Sequence, residues 1–370
     1  MTRIQLGSAA AGPGHKAWGQ LRVAQGKKDV RLPVAVIHGA RPGPHVVMMA
    51  NQHGDELNGF EAIRQFVEQV DPRQFKGTVF AILSMNPRAA MLKSAVWPES
   101  RHAQLVRKFG DGPYHGVPAK KSATLNMNRI WPGKPNGSLA ERIDHEIWTR
   151  AILDPHRKAN LVIDIHSFPL GYRTPVFVAD DTQTQFGVAT GIPYIVNMRW
   201  SLKHEVRTIG AVAREEGIPA LTLEPAGQNC IVPESVEETR VALFNMVKLF
   251  KMLPGPLRLP TQSYIMDPWR SNFEKTPRPS QVTVNAPCAG LLAPYKRQYD
   301  FVKLGDPLCN LCDIYTGKVL KTFRAPHQGM LYHMNLGGIC AKGDRLFIVT
   351  DVQTIDPAKM VGAMRGRLRL

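Results

Sequence analysis

The chain has 370 residues, 44% of them hydrophobic, and a formal net charge of +17 at pH 7. That apolar content supports a buried core and excludes a disordered chain, and the length suits a large domain plus a smaller one. No apolar run approaches the roughly 18 residues of a spanning helix. The first twenty residues also lack the hydrophobic stretch of a secretory signal. The expectation is therefore a soluble, cytoplasmic protein with no membrane partner.

Taken in chain order, two strands are expected early, QLRVAQG and RLPVAVIHG. Strand and helix then alternate. HVVMMAN runs into a helix over 56–70, whose apolar positions have helical spacing. GTVFAILSMNP reads as a buried strand, and SLAERIDHEIWTRAIL as a helix opened by a capping box, Ser138 with Glu141. ANLVIDIHSFP is a strand ending at His166, TIGAVAREEGIP a helix closed by Gly217, and ALTLEPAG a strand ending near Glu224. ESVEETRVALFNMVKLFKML is a long amphipathic helix. This alternation predicts an α/β sheet with helices on both faces. Residues 87–137 have no regular pattern, and a loop of that length in a compact domain usually has a function. Its Trp97, Tyr114 and Trp131 either line a pocket or pack beneath it.

Beyond residue 253 the texture changes. LPGPLRLP reads as a linker, and short strands broken by Gly, Pro and Asp follow. NAPCAGLLAPY and RAPHQGMLYHM share A-P-x-x-G-x-L, and FVKLGDPLCNL and GGICAKGDRLFIV share a Gly-Asp turn before an apolar strand. Two similar halves of this kind resemble the barrel-sandwich hybrid fold of biotinyl and lipoyl carriers. Lys318, at the expected hairpin tip, lacks the flanking residues of a carrier lysine, which points to a structural or gating part. In CNLC, Cys309 and Cys312 would reach opposite faces of a strand, so a zinc site with Cys288 and Cys340 would need a turn there. The five cysteines are expected to be reduced thiols.

The chemistry gathers at strand ends, where α/β sheets bind ligands. In NQHGDELNG, His53 and Glu56 stand three residues apart where a strand gives way to a helix. They either hold a metal or cap the helix, a task that Asp55 or Asn51 would serve equally well. His166 and Glu224 end two further strands. Two histidines and one glutamate leave zinc an open position, the catalytic arrangement. A further carboxylate outside the ligand set can act as general base. Asp164, two residues before His166, either orients it or is satisfied by backbone. In NMNRIWPG, Arg129 has a planar fork suited to a carboxylate, with Asn128 and Asn126 as amide donors. The alternative is a surface arginine among turn-forming asparagines.

As a set, NQHGDELNGFEAI, LNMNRIWPG, DIHS and LEPAG, in that order, resemble the succinylglutamate desuccinylase/aspartoacylase branch of the zinc carboxypeptidase superfamily. The resemblance spans about residues 30–252 and implies a mixed sheet followed by a C-terminal β domain. It implies one Zn2+ per chain on His53, Glu56 and His166, substrate carboxylate binding by Asn128 and Arg129, and Glu224 as the catalytic base. The arginine that helps polarise the scissile carbonyl in the family has no clear match; Lys120 or Lys121 would substitute, and the role of Arg88 stays open. The implied activity is zinc-dependent hydrolysis of a small, anionic N-acyl amino acid or related compound. The alternative is a metallocarboxypeptidase acting on short peptides. The basic charge fits attraction of a small anion; no Lys/Arg run with interleaved aromatics points to nucleic acid. A homo-oligomer stays open. The expected boundaries are a zinc hydrolase catalytic domain at 1–252, a linker at 253–280, an all-β barrel-sandwich-like domain at 281–352 and a basic tail at 353–370.

Overall fold

The structure is a computed structural model that describes residues 3–24, 29–93, 126–169, 171–199, 207–272, 274–336 and 338–365. A short hairpin, β1 (Ile4–Leu6) and β2 (Ala9–Ala11), precedes the strands of the main sheet. These are β3 (His15–Val23), β4 (Val30–His38), β5 (Arg41–Ala50), β6 (Lys76–Ile82), β7 (Leu161–Ile165), β8 (Pro175–Val178), β9 (Tyr194–Asn197), β10 (Ala220–Leu223) and β11 (Ser263–Met266). Eight strands of a smaller β part follow: β12 (Gln281–Asn285), β13 (Gly290–Pro294), β14 (Phe301–Val302), β15 (Pro307–Cys312), β16 (Val319–Arg324), β17 (Gly329–Met334), β18 (Ile339–Cys340) and β19 (Arg345–Thr350). The chain then returns to the main sheet as β20 (Val352–Ile355). The helices are α1 (Asn58–Gln69), α2 (Pro87–Met91), α3 (Leu139–Ile147), α4 (Asp181–Ala189), α5 (Ile209–Glu215), α6 (Pro233–Leu249) and α7 (Pro357–Arg365).

The main sheet has ten strands in the order β20-β11-β9-β8-β10-β7-β5-β6-β4-β3. It is mixed: β6, β5, β7 and β10 run parallel, whereas β8 lies antiparallel to β10. Alternate residues of one strand feed two cores. Ala35 and Ile37 of β4 join α1, α4, α6 and α7 on one face, and Val34 and Val36 join α3, α5 and the β1–β2 hairpin on the other. This is the period-two patterning of a strand buried on both sides. The capping box at α3 forms as expected: Ser138 Oγ accepts from Glu141 N, and Glu141 Oε2 accepts from Ser138 N.

The C-terminal part is two four-stranded antiparallel sheets, β12-β19-β17-β14 and β16-β15-β13-β18. The repeat in the sequence has a structural counterpart. The A-P-x-x-G-x-L segments lead into β13 and β17, and the Gly-Asp turns into β15 and β19. In both turns the aspartate accepts from a backbone N–H three residues earlier, Asp306 from Lys303 and Asp344 from Ala341. Cys309 and Cys340 are buried in the core of this part, while Cys312 is half-buried. Lys318 lies in the exposed β15–β16 turn.

Two segments differ from expectation. The expected linker carries β11, which pairs with β9 in the main sheet. The expected basic tail carries β20, paired with β11 so that Met266 faces Val352, and then α7, which buries Val361 and Met364. These elements are short, and their four-residue strands become recognisable only beside the partners that pair with them. Among the described residues no helix is long and apolar enough to cross a membrane.

Candidate metal and substrate site

Three adjacent parallel strands, β5, β7 and β10, end at the same edge of the sheet. Their register aligns Ala50 with Ile165 and Ile165 with Leu223. His166 and Glu224 thus leave neighbouring strands side by side, and the His166 N–H donates to Leu223 O at 2.9 Å. The chain leaves β5 through Asn51, which has φ 61°. Its amide Nδ2 donates to His53 O at 2.6 Å and Glu56 O at 3.2 Å, fixing the loop that presents both side chains. Leu57 is the N-cap of helix α1 and no side chain caps it, so neither His53 nor Glu56 is a capping residue. Gly59 allows α1 to approach β7: a Cβ there would lie 2.6 Å from Ile165 Cγ2. Asn58 ties the start of α1 to the loop after Glu224 by bonds to Gly227 O and Val232 N at 2.7 and 2.8 Å.

His53, Glu56 and His166 are buried and converge, with their ligand atoms all within 4.8 Å of one another. His53 Nδ1 lies 2.9 Å from Glu56 Oε1, His166 Nδ1 lies 2.8 Å from Glu56 Oε2, and the two Nδ1 atoms are 3.3 Å apart. The outer ring nitrogens face acceptors. His53 Nε2 is 3.0 Å from Asn126 Oδ1, which already accepts from Asn128 N, and His166 Nε2 is 2.9 Å from Asp164 Oδ2. With the ring protons on Nε2 toward those acceptors, both Nδ1 lone pairs would face each other and a carboxylate, the tautomers that a bound cation requires. Three converging lone-pair donors in a buried site fit a divalent cation, and the outer acceptors are the usual orienting partners of ligand histidines.

Gln52 sets the far side of this arrangement. Trp131 Nε1–H donates to Gln52 Oε1 at 3.0 Å, which turns the Gln52 amide toward Asp164 Oδ2 at 2.7 Å. Trp131 is therefore a buried packing and orienting residue, and Asn126 orients His53. Gln52 carries no signal in the sequence beyond its place beside His53. Its partner Asp164 is 112 positions away, and only the pairing of β5 with β7 brings them together.

The electrostatics follow from this packing. Burial works against the Glu56 carboxylate, but the two imidazoles hold its pKa down at about 2. Burial likewise disfavours a charged His166, yet Asp164 and Glu56 hold it well above the usual histidine range. Glu224 differs: burial pushes its carboxyl up to about 8, with His166 and Arg129 opposing and Glu56 and Asp164 adding to the rise. Among the described residues no hydrogen bond or ion pair engages the Glu224 carboxyl.

These side chains open into a cavity of about 1000 Å³. Asn128 and Arg129 line it beside the three converging residues, and Glu224 lies at the same end. Arg129 Nη1 donates to Asn128 O at 2.6 Å, and Asn128 Nδ2 lies 3.2 Å from His166 Nε2. The small β part contributes one wall through Thr283, Asn285, His333, Asn335, Asp344 and Arg345. Nothing in the sequence distinguished those residues, because the wall exists only where the two parts meet. Arg88 lies on α2 with Nη2 donating to Asp29 O at 3.3 Å. Lys120, Lys121, Trp97 and Tyr114 lie outside the described residues.

Residues 42–250 match the family model of the succinylglutamate desuccinylase/aspartoacylase catalytic domain. The N-alpha-acetyl-L-2,4-diaminobutyric acid deacetylase of Halomonas elongata is 25% identical over 338 residues, covering 87% of this chain and 86% of the relative. Among solved structures, the product-bound ectoine utilization protein EutE (DoeB) of Ruegeria pomeroyi superposes with a TM-score of 0.68 at 19% identity, covering 91% of this chain and 95% of that one. A succinylglutamate desuccinylase/aspartoacylase of Rhodobacter sphaeroides gives 0.67 at 18% identity, covering 91% and 96%. At those identities the two structures speak for the fold alone. The match to the catalytic domain covers more than half of the chain, which is a member of the succinylglutamate desuccinylase/aspartoacylase family.

Proposed function

We propose that the protein is a zinc-dependent deacylase that hydrolyses the amide bond of a small N-acyl amino acid or related compound. The observation that carries this reading is the sharing of one cavity by the converging His53, Glu56 and His166, the Glu224 carboxyl, which no described residue engages, and the Asn128–Arg129 pair. Family membership and the deacetylase relative support the reaction class.

His53, Glu56 and His166 hold one Zn2+ per chain. Bound there, the ion supplies Lewis acidity toward the amide carbonyl and a lowered pKa for water. Arg129, with Asn128, holds the substrate carboxylate and fixes the amide relative to Glu224. Glu224 takes a proton from the attacking water as the new C–O bond forms. It returns that proton to the amine nitrogen, which leaves with the electron pair of the broken C–N bond. A carboxyl raised by burial suits both roles, because a group titrating near neutral pH accepts and gives up a proton readily. Asp164 and Asn126 keep the two histidines oriented. The small β part, read as barrel-sandwich-like, acts as a wall of the cavity.

The test is product analysis by mass spectrometry. Zinc-loaded protein would be incubated with N-acetyl and N-succinyl amino acids, N-α-acetyl-2,4-diaminobutyric acid and short peptides. Release of a free acid plus an amino acid is the expected result. Loss of C-terminal residues from peptides alone would make it a carboxypeptidase, and no turnover at all would refute the deacylase reading.

A further inference from the structure

The cavity is larger than an N-acetylated small amino acid requires, since about 1000 Å³ matches the upper range of pockets that enclose drug-sized ligands. Part of the cavity lining is aromatic. Phe168, two residues after His166, stands 5.6 Å from Phe177 and 5.8 Å from Tyr172, both ring pairs edge to face. All three rings are half-buried and line the cavity. Their positions are fixed by the elements that carry the proposed catalytic groups. Phe177 on β8 pairs with Thr222, which shares a strand face with Glu224. The Phe168 N–H donates to Pro225 O at 2.9 Å, and Gly227 N donates to Phe168 O at 2.7 Å. Tyr172 Oη donates to Met334 O of the small β part at 2.8 Å. Behind the rings, Phe177 packs on the buried cluster of Val196, Met266, Tyr299 and Met330. The trio is thus a rigid apolar surface facing the cavity, and its remaining exposed area is available to bury apolar area of a ligand.

We propose that Phe168, Tyr172 and Phe177 form an apolar subsite for an aromatic or branched aliphatic group of the substrate. This rests on the deacylase reading for its link to catalysis, but the subsite itself binds apolar acids with or without turnover. The preferred substrates are then N-acyl amino acids that carry such a group, on either the acyl or the amine half.

The test uses the zinc-loaded full chain and two simple probes, 3-phenylpropionate and propionate, measured by calorimetry. Burying a benzyl-sized group predicts a preference of about ten- to a hundred-fold for the aromatic acid. Phe168→Ala and Phe177→Ala should each reduce that preference by about tenfold. A wild-type preference below tenfold, or one unchanged in both variants, overturns the subsite; if neither variant folds, the wild-type ratio decides. The kcat/KM of N-acetylphenylalanine and of N-phenylacetylglycine, each relative to N-acetylglycine, then assigns the subsite to the amine or the acyl half. A retained binding preference without hydrolysis of any N-acyl amino acid would refute the deacylase reading and leave the subsite standing.

Discussion

Replacing Glu224 with glutamine should move stability and turnover in opposite directions. The carboxyl makes no hydrogen bond or ion pair with the described residues, so the isosteric amide breaks none among them. Its pKa is raised from 4.5 to about 8, chiefly by burial. A carboxyl raised in the folded state favours folding fully only below its unfolded value, and that contribution is lost as pH climbs toward the folded value. Between 4.5 and pH 7 lie about 2.5 pH units, each worth about 1.4 kcal/mol. In metal-free protein, Glu224→Gln should therefore be the more stable form at pH 7, by up to about 3 kcal/mol. The advantage should fade as pH falls below 4.5. Loss of a general base should meanwhile lower kcat by about 10²- to 10⁴-fold with zinc still bound. Thermal unfolding of chelated protein from pH 4 to 8, zinc analysis and steady-state turnover together check all three. A variant that keeps zinc and retains turnover within tenfold of wild type would refute the assignment of Glu224 as base. A variant less stable than wild type at pH 7 would refute the burial argument.

Other substitutions probe separate parts of the site. His53→Ala removes one of three converging ligands and should take the zinc content, read by elemental analysis after dialysis, from stoichiometric to undetectable. Arg129→Lys keeps the charge but not the fork. The kcat/KM for N-acyl amino acids should fall by about tenfold or more, mainly through KM, and an unchanged KM would remove Arg129 from carboxylate binding. Asp144 is fully buried with both carboxyl oxygens unpartnered, and burial, with Asp164 and Glu141 nearby, raises it well above the usual range. Its stability contribution is present below the unfolded carboxylate pKa and lost as pH rises. Asp144→Asn should thus be neutral near pH 4 and stabilising by about 1–3 kcal/mol at pH 8, read from urea midpoints.

The readable parts of the fold were those with long, strongly periodic signals. The strands before His53, His166 and Glu224 announced themselves as apolar runs ending in polar residues, and α6 as a long amphipathic helix. The capping box at Ser138 was legible because it is a contact between residues three apart. What escaped was short or non-local. Strands β8, β9, β11 and β20 are four residues each, as is the recognised β10, so periodicity alone does not reliably separate such strands from loops. Orientation of His166 by Gln52 and Trp131 depends on strand pairing across more than a hundred positions. The polar wall from Thr283 to Arg345 depends on how two parts pack, and local sequence does not encode that. Asp164 is the middle case: its spacing from His166 raised an orienting role, and the 2.9 Å contact now gives that role a geometry.

The return of the chain to the main sheet bears on how the protein tolerates being shortened. The small β part leaves after β11 and comes back as β20, with Met266 directly opposite Val352. The two crossings are held together where Asp351 N and Thr350 Oγ1 both donate to Ser280 O. A stop codon anywhere in the β part would therefore also strip the edge strand β20 and helix α7 from the larger body, exposing the side of β11 and the apolar bed of Val361 and Met364. A clean excision behaves differently. Because the two severed ends already face each other across a strand pair, a two-residue hairpin turn could replace everything between them. The part that walls the cavity can thus be bypassed by splicing, which would uncover Val196 and Met266 where Tyr299 and Met330 pack, whereas truncation also removes elements of the larger body, and a frameshift within it damages a portion of the molecule that was translated long before.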